Sequence, residues 1–243
     1  LDPSDLMVEN LDNDVAGFIL GSVIGSTSEG GDNASFTVRL QSKPTANVTI
    51  PLYSSNISEG LVNPDQIVFS SDNFSTVQTV TITGVDDDVI DGYQTYTVIL
   101  GTANSVNPAY NGLDPMDVTI TNRDNEGSGF TVGAVSGNTT EDGGVAFFTL
   151  RLNSKPADNV TVTIVSDNLS EGIASPASLT FTTTNWEALQ LITVKGQDDE
   201  IADGNQTYRI RVDNATSNDS NYNDLEPPDV YLSNIDDETA GYT

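Results

Sequence analysis

The chain has 243 residues, of which 36 are Asp or Glu and 8 are Lys or Arg, giving a formal net charge of −28. That balance argues against nucleic acid and against anionic membrane surfaces as partners, because both are bound through basic patches. Cys and His are absent, which removes disulfides, thiolate and imidazole metal sites, and the common nucleophile–base pairs built on those side chains.

Residues 1–14, LDPSDLMVENLDND, hold a short apolar run at Leu6, Met7 and Val8 and acids at Asp12 and Asp14. No secretory signal pattern and no apolar run of bilayer-spanning length occurs in the sequence. From residue 16 onward apolar residues alternate with polar ones at a spacing of two, the period of half-buried strands. Strands are predicted near 18–24, 35–40, 48–53, 66–69, 78–83, 95–100 and 118–121, with Gly, Pro, Asn and Asp filling the joints. Phe36, Val38 and Leu40 show the alternation, as do Tyr96, Val98 and Leu100. Seven short strands in roughly 110 residues is the size and pattern of an immunoglobulin-like sandwich.

The pattern then returns. Asp198 minus Asp86 gives an offset of 112, and it holds without a gap. RLQSKPTANVT at Arg39 returns as RLNSKPADNVT at Arg151, and SEG at Ser58 returns at Ser170. LDPMDVTITNRDNE at Leu113 returns as LEPPDVYLSNIDDE at Leu225, and residues 1–14 match that closing segment one period earlier. The expected organisation is residues 1–15 as the closing strand and linker of a preceding repeat, 16–127 as one repeat, and 128–243 as a second with its following linker. An array that begins part-way through a unit is expected of an excerpt from a longer tandem protein. The expected fold class is all-β: two tandem seven-stranded immunoglobulin-like sandwiches and the tail of a preceding one.

Successive joints of an up-and-down sandwich alternate between its two ends. The joints after the first, third and fifth strands therefore share a pole with the end of the seventh. Glu29 falls in or beside the first of these joints and Glu59 in the second. Asp86, Asp87, Asp88 and Asp91 fall in the third, and Asp124, Asn125 and Glu126 follow the seventh strand. The second repeat places Glu141, Glu171, Asp198, Asp199, Glu200, Asp203, Asp236, Asp237 and Glu238 likewise, and Asp12 and Asp14 are the matching terminal acids of the preceding one.

Carboxylates gathered within a few ångströms do not all stay ionised without a cation among them. Oxygen-only donors select a hard cation, and flexible sets of six to eight oxygens suit Ca²⁺ better than Mg²⁺. A solvated acidic turn explains any single stretch such as DDD, but not four clusters at one pole, twice. EF-hand spacing does not fit: counting from Asp86, the twelfth position is Thr97. Trp186, with Phe74 at the matching place, reads as a core anchor. Tyr110 and Tyr222 occupy equivalent joints and read as packed, leaving Tyr93 as a candidate exposed aromatic.

DDDVIDGYQTYTVIL resembles the DDD-x-x-E-x-x-E-x-F-x-V-x-L core of the Calx-beta family. IGSTSEGG is similar to the family's V-x-E-x-x-G start, and VTITNRDNE to its closing V-x-I-x-D-x-D. The resemblance implies seven-stranded sandwiches that bind Ca²⁺ at one tip. It carries the early Glu onto Glu29 and Glu141, and the paired aspartates onto Asp86 with Asp87 and Asp198 with Asp199. The following acid falls on Asp91 and Asp203, which are Asp where the family often has Glu. The terminal acids fall on Asp124 and Glu126, and on Asp236, Asp237 and Glu238. Glu59 and Glu171 are the loosest matches. FTTTNWEALQLITVKGQDD, Phe181 to Asp199, looks most like the versions found in long bacterial surface proteins.

The expected function is that of calcium-stabilised spacer repeats in a large extracellular adhesin or surface fibre, bacterial and at the cell surface, without catalysis. Ca²⁺ at the inter-repeat junctions would rigidify the array. The expected partners are neighbouring repeats of the same chain, with other copies in a fibre or a cell-surface or glycan ligand as further ones. Neither nucleic acid nor membrane contact by this segment is expected. The alternatives are a Ca²⁺-sensing regulatory pair, as in sodium–calcium exchangers, and a glycan- or protein-binding module. Assembly through the orphan strand at Leu6, Met7 and Val8 is a further one.

Overall fold

The computed structural model describes residues 5–239 and 241, and the regular structure of those residues is entirely β. The chain folds as two compact units. One comprises the stretch to Asp87 with Asp91–Asn125, the other Asp88–Ile90 with the residues from Glu126 onward.

The first unit contains β1 (Phe18–Leu20), β2 (Thr27–Ser28), β3 (Asn33–Leu40), β4 (Val48–Ser54), β5 (Gly60–Asn63), β6 (Gln66–Phe69), β7 (Gln78–Gly84), β8 (Gln94–Leu100), β9 (Asn104–Ser105) and β10 (Val118–Arg123). One sheet runs β1-β3-β7-β5; the other runs β2-β10-β8-β4-β6, with β9 on β4. The alternation read in the sequence becomes the core: Phe36, Val38 and Leu40 of β3 share it with Val98 and Leu100 of β8, all at most 1% exposed. The residues between them on β3, such as Thr37 and Arg39, are only half-buried and lie on the outer face.

Besides the two-residue β9, which pairs with β4, two features depart from the seven-strand reading. Regular pairing of the strand predicted at 18–24 ends at Leu20, although Gly21 and Ile24 still donate backbone N–H groups to the Thr37 and Ser35 carbonyls of β3 at 2.8 Å; the chain then crosses to the other sheet, where β2 runs parallel to β10. Hydrophobic periodicity misses β2 because its buried residues are polar: Thr27 is 0% exposed, and its hydroxyl hydrogen-bonds the Tyr96 hydroxyl at 3.2 Å. The joint between the third and fourth predicted strands also contains β5, which pairs with β7. Its four residues include one half-buried apolar side chain, Val62, too short a signal for any period.

The second unit repeats this plan with β11 (Phe130–Val132), β12 (Thr139–Thr140), β13 (Val145–Leu152), β14 (Val160–Ser166), β15 (Gly172–Ser175), β16 (Ser178–Phe181), β17 (Gln190–Gly196), β18 (Gln206–Val212) and β19 (Val230–Ile235). Its sheets run β11-β13-β17-β15 and β12-β19-β18-β14-β16, the second again closed by a parallel pair, β12 on β19. Trp186 lies in the core, and Phe74 packs against the core of the first unit. Tyr110 and Tyr222 are buried, each hydroxyl donating to a backbone carbonyl, of Ser42 at 2.6 Å and Ser154 at 2.7 Å.

The recurring SEG motif follows from this packing. A Cβ on Gly172 would lie 2.4 Å from the Tyr208 hydroxyl oxygen, and the Tyr96 ring covers Gly60 in the same way. Only glycine lets the tyrosine of the neighbouring sheet lie flat on the turn that carries Glu59 or Glu171. Gly172→Ala is therefore expected to cost about 1–3 kcal/mol in urea unfolding, as overpacking does. Gly127→Ala, whose Cβ would meet nothing within 4 Å, should change stability by less than about 0.5 kcal/mol.

Candidate metal centre

The parallel strand pair builds the pole. β2 aligns Thr27 with Asn122 and Ser28 with Arg123, so the next residues out, Glu29 and Asp124, leave the sheet side by side. The Glu29 N–H donates to the Arg123 carbonyl at 3.0 Å. Glu29 is 6% exposed, and it and Asp124 offer carboxylate oxygens within 4.8 Å of one another. The loop after β7 is sewn to this end: Gly92 N–H donates to Asp124 Oδ2 at 2.6 Å, and Asn125 Nδ2 donates to Asp86 Oδ1 at 3.3 Å.

Glu59 arrives from the turn after β4. Asn56 shapes that turn, its Oδ1 accepting the Ser58 N–H at 3.1 Å. Glu59 is 6% exposed, and its Oε2 accepts a hydrogen bond from Asn122 Nδ2 at 3.3 Å. Burial pushes its carboxyl up from the ordinary range, and repulsion from Asp91, Glu29 and Asp87 adds to the rise against the pull of the Asn122 amide. Burial also raises Asp91, with Asp87 and Asp124 repelling it.

The second unit reproduces the arrangement. The Glu141 N–H donates to the Ile235 carbonyl at 3.0 Å, setting Glu141 beside Asp236. Glu141, Asp236 and Glu238 bring one oxygen each within 4.8 Å of one another, and so do Asp198, Asp237 and Glu238. Asp236 accepts backbone N–H groups from Gly204 and Glu238, which holds its carboxyl below the ordinary range. Glu171, 5% exposed, accepts from Asn234 Nδ2 at 3.4 Å. Burial raises Glu171, with Asp203, Glu141 and Asp199 repelling it. Glu238 is pushed up to about 7 by the hydrogen bond it shares with Glu141, with burial and the neighbouring Asp236 and Asp237 adding to it.

Two oxygens on one Ca²⁺ at 2.3–2.6 Å lie at most about 5 Å apart, so both groups of the second unit are compact enough to share an ion. Glu141, 2% exposed, has a buried Oε2 without a hydrogen-bond partner among the described residues, and Glu238 Oε2 is in the same position. Buried carboxylate oxygens without donors are costly unless a proton or cation meets them. The donor set therefore fits a hard, oxygen-loving cation.

The remaining candidates are placed as follows. Asp87 and Asp203 are exposed but lie close enough to repel the buried Glu59 and Glu171. Asp199 caps its own loop, its Oδ1 accepting the Ile201 N–H at 2.7 Å. Asp88 and Glu126 belong to the second unit. Asp12 and Asp14 are exposed and join no acidic group among the described residues; Asp14 N–H donates to Asp12 Oδ1 at 3.0 Å.

Asn122 and Asn234 are not among the sequence candidates. Each is at most 1% exposed. Each Nδ2 ties a buried glutamate to the backbone just past a strand of the facing sheet, through Val85 O after β7 at 3.1 Å and Gln197 O after β17 at 2.8 Å. Their Oδ1 atoms pack against Gly84 and Gly196, where a Cβ would lie 2.6 Å away. A signal for them exists, since they recur at the offset of 112 and stand where the closing V-x-I-x-D-x-D has its first Asp. A search for charged ligands passes over a neutral amide.

Fold and site together define a β-sandwich module with a carboxylate pole. The Calx-beta domain model matches residues 26–126 and 138–239, and the chain belongs to the Calx-beta family, as two tandem domains. Among solved structures the chain is similar to CBD12 from CALX1.2, at 14% identity over 82% of this chain and 84% of that one, with a TM-score of 0.38. It is also similar to domains 5–6 of the S-layer protein SbsC, at 17% identity over 93% of this chain and 100% of that one, with a TM-score of 0.27. No curated protein matches it.

A carboxyl whose folded pKa is raised holds its proton more tightly in the fold than in the unfolded chain. The contribution of Glu238 is thus full below its ordinary 4.5 and lost as pH rises through about 7. In a cation-free solution the melting temperature should fall between about pH 5 and pH 8, and Glu238→Gln should make that fall shallower. Equal slopes for the two proteins would refute the assignment.

Proposed function

We propose that the carboxylate poles bind Ca²⁺ and that the tandem domains act as calcium-stabilised spacer repeats of a large extracellular adhesin or surface fibre, on a bacterial cell surface. The observation that carries this reading is Glu141, nearly fully buried, with one oxygen that has no donor among the described residues, within ion-sharing distance of Asp236 and Glu238. The ion pairs found in the second unit lie elsewhere, joining Arg209 to Asp167 and Asp229, and Arg211 to Asp213. Family membership supports the same conclusion, because the Calx-beta resemblance implies calcium at this tip.

The spacer role follows from where the acids stand in the chain. Asp124 closes one repeat and leads directly into NEGSG, residues 125–129, which contains Glu126. A cation that fixes them limits the freedom of that Gly-rich linker, and its loss leaves like charges to repel. The described residues contain no helix long and apolar enough to cross a membrane.

Catalysis forms no part of the proposal. Glycosidase carboxylates stand about 5–9.5 Å apart with substrate between them, whereas these are gathered within 4.8 Å. Tyr110 and Tyr222 are buried and out of reach of a glycan, whereas Tyr93 is exposed.

Calorimetric titration tests the proposal. A spacer bathed in abundant calcium needs a Kd of only about 10⁻⁴–10⁻³ M, and calcium at ten times Kd stabilises by about 1.4 kcal/mol per site. Calcium should raise the melting temperature, EDTA should reverse the rise, and Asp236→Asn should diminish it. Small-angle scattering should show a wider range of inter-domain angles in EDTA. A micromolar Kd would favour the sensor instead, and no heat of binding at millimolar calcium would refute both.

A further inference from the structure

The outer faces of the two domains differ. In the second domain β13, β17 and β15 lie side by side, and their register sets Val145 beside Lys195, Phe147 beside Thr193, and Ile173 on the other side of Lys195. Val145, Phe147, Ile173, Leu189 and Leu191 point away from the core and are 45–63% exposed. At the offset of 112 the first domain carries Asn33, Ser35, Leu61, Val77 and Thr79 in these places. The same strands form there without Val145, Phe147 and Leu191, so the sandwich does not require those apolar groups. An exposed apolar patch that folding does not require marks a contact surface.

The rim of the patch carries both signs of charge. Lys195 stands at the pole end beside the turn of the exposed Asp142, its Cε 3.4 Å from where a Cβ on Gly143 would lie. At the far end stand Arg151, the last outward residue of β13, and the exposed Glu187, two residues before Leu189. None of the four forms an ion pair among the described residues. The first domain has Gly30, Thr83 and Ser75 where the second has Asp142, Lys195 and Glu187. Patch and rim charges therefore occur together, and each end of the face holds one base and one acid in a chain of net charge −28.

We infer that this outer face of the second domain is a self-association surface, and that its occupant is the same face of a second copy of the chain, packed with its strands antiparallel. A two-fold axis lying between the sheets and across the strands sets β13 over β13 and β17 over β17. Asp142 of one copy then meets Arg151 of the other, and Lys195 meets Glu187. A strongly acidic or strongly basic partner would meet like charge at both ends of the face. From Val145 to Arg151 the face is about 20 Å long, and its three strands span about 10 Å. That is well short of the roughly 800 Å² each partner gives to a stable complex, so the dimer is a weak one. The inference goes beyond the calcium reading and does not rest on it.

The test is sedimentation equilibrium of the full chain in EDTA at physiological ionic strength, where no calcium can bridge two poles, with folding checked by circular dichroism. The mass should rise from that of one chain toward that of two as the concentration approaches about 1 mM. Phe147→Ser combined with Leu191→Thr gives these places the residues of the first domain, and this variant should stay folded and monomeric. Asp142→Arg and Arg151→Asp should each weaken the dimer about two- to fivefold, and the two together should restore it. A parent chain that is monomeric at every concentration overturns the inference, and so does a Phe147→Ser/Leu191→Thr variant that dimerises as the parent does; neither result touches the calcium reading. A double charge variant weaker than either single one overturns the antiparallel pairing.

Discussion

The structure depends on keeping glutamates inside a β-sandwich, gathered at one end of its strands. Glu29, Glu59, Glu141 and Glu171 are each at most 6% exposed, in a protein with a formal net charge of −28. Two unit charges 4 Å apart at an effective dielectric of 20 repel by about 4 kcal/mol. A group of three such charges costs a substantial part of the stability of an ordinary domain, which is about 5–15 kcal/mol. A proton or a cation has to balance it. The raised carboxyls of Glu59, Glu171 and Glu238 show the fold already favouring the proton. A divalent ion bound there would supply the balance without neutralising the acids one by one.

The rest of the pole exists to bring those acids together. The crossover from the first sheet to the second creates the parallel β2–β10 and β12–β19 pairs, and those pairs fix which acids stand side by side. Glycines allow the close approach: Tyr96 and Tyr208 lie over Gly60 and Gly172, and Asn122 and Asn234 press against Gly84 and Gly196. The asparagines then hold the second buried glutamate of each domain in place. Acid, amide and glycine form one mechanical unit, and it recurs in the second domain at the offset of 112.

Much of this was legible in the sequence. Period-two alternation located β3, β4, β6, β7, β8 and β10 because their inward residues are apolar and their outward ones polar. The count of chain reversals placed Glu29, Glu59, Asp91 and Asp124 at one end. What escaped has a common cause. β2 and β12 bury Thr rather than Val, β5 and β15 are four residues long, and Asn122 and Asn234 carry no charge. Each is recognised by a hydrogen bond to something distant in the chain, which no local period reports. The strand predicted at 18–24 keeps regular pairing only to Leu20, and beyond Ile24 the chain crosses to the other sheet, where Thr27 meets a tyrosine hydroxyl 69 residues away.

The decisive experiment is a crystal structure of the chain grown in millimolar calcium, with anomalous scattering to mark the metal. Cation balance of the buried acids requires an ion about 2.3–2.6 Å from oxygens of Glu141, Asp236 and Glu238. A map in which that position holds no metal, and Glu141 and Glu238 are instead joined through a shared proton, would mean that the proton alone keeps these acids inside the fold.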